Sequence, residues 1–202
     1  MSTEVFELLW SMDKKKIELQ IVLQCAPTIA GLKTSNLLIV PKDMEDNVRY
    51  VLRQSGLVGY RLVYDRDRVI FLVFNRDMLV NYLSNNEVKD FLKDYGYRTE
   101  AFGYCLRFFK ERYDSYIRSR REFPHEMGVF LGYPLCDVKG FIDNGGDGFK
   151  ISGYWKVYGN AEETQQLFEE FDEVKDDMVL KLSSGHSIKE ILSEQRIETK
   201  VS

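Results

Sequence analysis

One stretch constrains this chain more than any other. Residues 60–75 read YRLVYDRDRVIFLVFN, two β-prone arms around Asp65-Arg-Asp67. Leu62, Tyr64, Ile70, Leu72 and Phe74 alternate with residues of the opposite face, the period of a strand, and the polar tripeptide reads as the turn of a hairpin. The rest of the chain mixes helical stripes with short strands and lacks strict strand–helix alternation. That pattern predicts an α+β fold. We expect one domain over residues 1–202, with a mostly antiparallel sheet of about four to five strands packed with several helices.

The first 25 residues read as helix in two pieces, with Ile17, Ile21 and Cys25 on one face. Pro27 ends that run or opens a new turn. Residues 36–40, NLLIV, read as a buried strand closed by Pro41. Val48, Val51 and Leu52 mark a helix stopped by Gly56. Two helices are expected near 76–84 and 86–95. A longer one is expected from Glu100 to about Ser119, capped by Thr99. MGVFLGY (127–133) reads as a strand, and Pro134 opens a helix carrying Leu135, Val138 and Ile142. GYWKVYG (153–159) reads as a further strand. Asn160 and Glu163 are spaced as a capping box ahead of an acidic helix over about 161–182. Ser187 and Glu190 cap a last helix, and the tail should fray from about Glu194.

Composition and charge exclude several functions. Hydrophobic residues form 44% of the 202, with 12 Tyr and 13 Phe, enough apolar area to offset the entropy of ordering. The formal net charge of -4 disfavours a nucleic-acid partner, and the basic cluster Arg118–Arg121 falls where a helix should end. No apolar run approaches the ~20 residues of a membrane span. The start, MSTEVFELLWSMDKKK, lacks the apolar region of a secretory leader. Cys25, Cys105 and Cys136 are scattered and odd in number, so a reducing cytoplasm is expected.

Several motifs fail on spacing. His125-Glu126 begins like a zinc-protease signature, but Val129 stands where the second histidine must lie. The loop from Asp143 to Gly148 resembles a calcium loop, yet Gly145 and Tyr154 occupy ligand positions. No metal-ligand spacing is present. One constellation survives. Cys25 and His125, oriented by Glu126 or Asn36, are the residue types of a thiol nucleophile and its base. At the C-terminal end of a helix Cys25 would meet a negative dipole, which opposes a thiolate. Just before a new helical turn it would meet a positive one. Cys105 and Cys136 read as packing residues.

Three blocks carry a family resemblance: CAPTIAGLKTSNL (25–37), FPHEMGVFLGYPLCDVKGFIDN (123–144) and GYWKVYG (153–159). In these the chain resembles the bacterial family named domain of unknown function 3793, which brings no established activity. The resemblance implies that the distinctive positions include Cys25, Lys33, His125, Glu126, Gly132, Tyr133, Trp155 and Tyr158. It also implies that some relatives place cysteines just before the third block. Here Phe149, Lys150 and Ser152 stand there, so a thiol or metal cluster on those positions is not expected.

Polar and special residues therefore gather in three blocks. Our first expectation is a cytoplasmic small-ligand-binding or regulatory module. Its pocket would be built from segments 25–37, 123–134 and 153–158, with Lys33, Asn36, Tyr133, Trp155 and Tyr158 binding a small anionic or aromatic ligand. The alternatives are a hydrolase or acyltransferase using Cys25, His125 and Glu126, and a protein-interaction domain. No cofactor is identifiable from the sequence.

Overall fold

The structure is a computed structural model that describes the backbone of residues 2–119 and 122–201 and the side chains to residue 194. Among the described residues, ten α-helices and five strands occur in the order α1 (Thr3–Ser11), α2 (Ile17–Ile29), β1 (Ser35–Pro41), α3 (Glu45–Ser55), β2 (Val58–Tyr64), β3 (Arg68–Phe74), α4 (Arg76–Leu83), α5 (Asn86–Asp94), α6 (Phe102–Ser119), α7 (Met127–Phe130), α8 (Leu135–Asp143), β4 (Ile151–Ser152), β5 (Lys156–Val157), α9 (Ala161–Ser183) and α10 (Ile188–Val201). The fold is α+β. It divides into two compact units. One comprises Met1–Tyr60, Tyr64–Asn75 and Glu169–Ser202; the other comprises Arg61–Val63 and Arg76–Phe168.

In the first unit a three-stranded sheet runs in the order β1-β3-β2. β1 pairs antiparallel with β3, from Ser35 opposite Phe74 to Pro41 opposite Arg68. The central position of β3 explains its unbroken apolar sequence, since Val69 to Phe74 are all buried. One core cluster joins Leu19, Val22 and Cys25 of α2, Leu38 and Val40 of β1, Val48 and Leu52 of α3, and Phe71 of β3 with Met178 and Leu182 of α9. Burial of a side chain such as Phe71 stabilises by about 1.5–3 kcal/mol.

The outer edge of β1 does not stay open. Gln24 of α2 donates from Nε2 to the Ile39 carbonyl (3.1 Å) and accepts the Ile39 amide at Oε1 (2.9 Å). One side-chain amide thus stands in for a neighbouring strand, which protects an otherwise template-like edge.

In the second unit, an aromatic core forms around α6 and α7. Phe109 stacks on Phe130 with ring centroids 4.4 Å apart, and Tyr97 meets Phe108 edge-on at 4.7 Å. A two-residue ladder pairs β4 with β5, Ile151 opposite Val157.

Several expectations are met. The hairpin, the strand at β1, the helices over 76–83 and 86–94, and the Pro134-led helix all form. Asn160 accepts the Glu163 amide (3.3 Å), while the Ser187 and Glu190 amides are each bonded by the other's side chain. Four differ. α2 runs on through Pro27 to Ile29: the proline gives up its own donor, and the Ala30 N–H still closes the turn on the Ala26 carbonyl (2.9 Å). α6 starts at Phe102, since the Ala101 carbonyl rather than Thr99 takes the first helical bonds, from Tyr104 (3.0 Å) and Cys105 (3.1 Å). Cys136 is exposed rather than packed. MGVFLGY is not a strand. Met127–Phe130 forms one helical turn, and Tyr133 N–H returns to the Gly128 carbonyl (2.9 Å) while Gly132 N–H bonds Val129 (2.9 Å). That paired closure needs a left-handed residue, and Gly132 supplies it at φ 72°. Likewise only Lys156 and Val157 of GYWKVYG are extended. Arg120 and Arg121 of the basic cluster lie outside the described residues, as do the side chains of the tail beyond Glu194.

Candidate functional site

A cavity of about 360 Å³ opens in the second unit. Its walls come from segments 123–141 and 152–156 and include Phe123, His125, Tyr133, Asp137, Phe141 and Trp155, with Ser152 and Lys156 beside them. Local chemistry builds each wall. The single turn α7 and the reversal at Gly132 deliver Tyr133 onto the indole of Trp155, with ring centroids 4.8 Å apart. Phe168 braces the other side of the indole edge-on at 4.6 Å. Gly153 has no side chain because a Cβ there would lie 2.4 Å from the Phe168 ring.

Asp137 holds the wall in register. Its carboxylate accepts the indole N–H of Trp155 (2.8 Å) and the backbone amides of Tyr158 (2.8 Å) and Gly159 (2.7 Å). Three donors compensate the burial of this charge. They also explain why β5 needs so little ladder: the 155–159 segment hangs from a side chain on α8. Tyr158 leaves the cavity and packs over Gly140, where a Cβ would sit 2.4 Å from its ring, and its hydroxyl donates to the Asp147 carbonyl (3.0 Å).

His125 stands in the cavity wall between two rings, 5.2 Å from Phe123 and 5.7 Å from Phe141. Its Nδ1 is buried without a hydrogen-bond partner among the described residues. Glu126 has a different task. It is wholly buried and forms an ion pair with Arg112, whose Nε and Nη2 both donate to it, the latter at 3.3 Å. The Tyr97 hydroxyl donates to the same carboxylate (3.0 Å). Burial, then the Glu126 charge, drives the Tyr97 phenol well above its ordinary range. Glu126 ties α6 to the loop before α7 and has no bond to the imidazole.

The block 25–37 lies in the first unit. Cys25 is 0% exposed, and burial pushes its thiol up to about 12 against the opposing effect of Lys33. Lys33 is 5% exposed and donates to the Ser35 carbonyl at 2.7 Å. Burial lowers its ammonium to about 7, with Cys25 acting the other way. Asn36 accepts the Thr28 hydroxyl (2.7 Å). These groups tie the end of α2 to β1.

Of the residues expected to form a site, His125, Tyr133 and Trp155 meet at the cavity. Cys25, Lys33 and Asn36 do not line it, nor does Tyr158. Sequence reasoning missed Phe123, Asp137, Phe141 and Lys156. A signal was available for one pair: Asp137 and Phe141 are one helical turn apart and so share a face of α8. Among the described residues no group of three His, Cys, Asp or Glu converges to hold a metal, and no helix is long and apolar enough to cross a membrane.

These features define an α+β protein with an aromatic-walled cavity held by a buried aspartate. The chain belongs to the family described as protein of unknown function (DUF3793), which matches residues 21–192 and so spans all three distinctive blocks. No curated protein and no solved structure matches the chain.

Proposed function

We propose that this protein is a cytoplasmic small-molecule-binding or regulatory module whose ligand enters the cavity of the second unit. One observation carries the reading. The cavity is concave, walled by Phe123, Phe141, Tyr133 and Trp155, and its 360 Å³ suits a molecule of one or two rings. Binding sites commonly combine such apolar walls with a few polar groups that set orientation. His125 and Lys156 are the groups available for that here.

The thiol-enzyme alternative asks for a thiolate at Cys25. Burial holds that sulfur as a neutral thiol, so the binding reading is preferred. The test is calorimetric titration of the full chain with 2-naphthamide, a neutral two-ring probe. Binding to the wild type that is lost in Met127→Trp and in Ser152→Phe, each with an unchanged melting temperature, is the expected result. Undetectable binding to the wild type, or binding that both cavity-filling variants retain, refutes the reading.

A further inference from the structure

Resting on that reading, we infer that the cavity's ligand carries a carboxylate, and that Lys156 selects it. Lys156 borders the cavity, and among the described residues its only polar bond is to a neutral acceptor, the Gly146 carbonyl at 2.7 Å. Its ammonium lies 4.8 Å from the Phe149 ring centre and 5.8 Å from that of Phe141. No carboxylate pairs with it among the described residues. An ammonium has three donor hydrogens, so two remain for a ligand.

The acid on the same wall does not compete. Asp137 is closed by the Trp155 indole and by the amides of Tyr158 and Gly159. Lys150, on the segment leading into β4, likewise donates to a carbonyl, that of Gly159 at 2.6 Å, with no acidic partner among the described residues. Among the described residues, the charged donor left for a ligand at the cavity is therefore Lys156, beside flat aromatic walls. An aromatic carboxylate matches both halves. Its ring enters between the rings of Phe141 and Trp155, and its anion meets Lys156 in a charge-assisted bond, stronger than a neutral one.

The test compares 2-naphthoate with 2-naphthamide, which share shape and differ in charge, by titration calorimetry on the full chain. Wild type should bind the carboxylate about ten-fold or more tightly than the amide. Lys156→Met should erase the preference by weakening the carboxylate, while Lys156→Arg should keep it. Raising salt towards ~1 M should weaken the carboxylate alone. Equal wild-type affinities, or a preference that survives Lys156→Met, overturn the inference while the pocket stands. Failure of both probes to bind the wild type sinks the pocket and the inference together.

Discussion

Lys33 offers a direct measure of what it costs to keep an amine in this core. The unfolded chain holds its proton up to the ordinary value of 10.5, whereas the buried amine sheds it near 7. Between these values the unfolded state binds more protons, so stability rises with pH. Each pH unit is worth about 1.4 kcal/mol. The penalty is therefore fully present below pH 7, at about 5 kcal/mol relative to alkaline solution, and about 2 kcal/mol of it is relieved between pH 7 and pH 9. Cys25 works in the opposite sense, because a thiol raised to about 12 costs stability as pH climbs beyond 9. Lys33→Met removes the first effect at the expense of the bond to Ser35, about 1 kcal/mol. Urea midpoints at fixed slope, taken from pH 6 to pH 9, should show the variant more stable than wild type by about 4 kcal/mol at pH 6 and by only about 1 kcal/mol at pH 9. Two parallel curves would show that the ammonium stays charged inside the fold, and the reasoning would fail.

Two further outcomes follow from buried polar groups. Glu126→Gln should cost about 1.5–3 kcal/mol in thermal unfolding, because it removes the charge that Arg112 and Tyr97 address. The triple change Glu126→Leu, Arg112→Met, Tyr97→Phe should recover most of that loss; a triple variant as unstable as the single one would contradict the account. Gln24→Leu should cost about 1–3 kcal/mol and increase light scattering at high concentration, since it uncovers the edge of β1. Unchanged stability and solubility would show that Gln24 is dispensable as a strand mimic.

Periodicity made much of this fold legible. The 60–75 hairpin and the stripe of α3 repeat often enough for one period to dominate. It misled where an element is too short to have a period. In 127–133 four apolar residues fit either geometry, and the deciding feature is Gly132, whose left-handed backbone closes a helical turn. The aromatic residues of 153–159 suggest a strand, yet a carboxylate on another element positions the segment. The site divides in the same way. His125, Tyr133 and Trp155 stood out because unusual residue types gathered in short blocks. Lys156 and Phe141 did not, because an ordinary lysine and phenylalanine gain meaning only when the chain brings them to one hollow. Lys33 drew attention by its charge, and that charge is spent on a neighbouring carbonyl.

The bonds of Asp137 have one more consequence. A single carboxylate restrains both the indole that floors the cavity and the two peptide N–H groups just beyond it, so those three protons share one acceptor. Solvent exchange at the Tyr158 and Gly159 amides is therefore a natural gauge of occupancy. A guest that steadies the indole should slow deuterium uptake there, at a point on the backbone that the guest never touches.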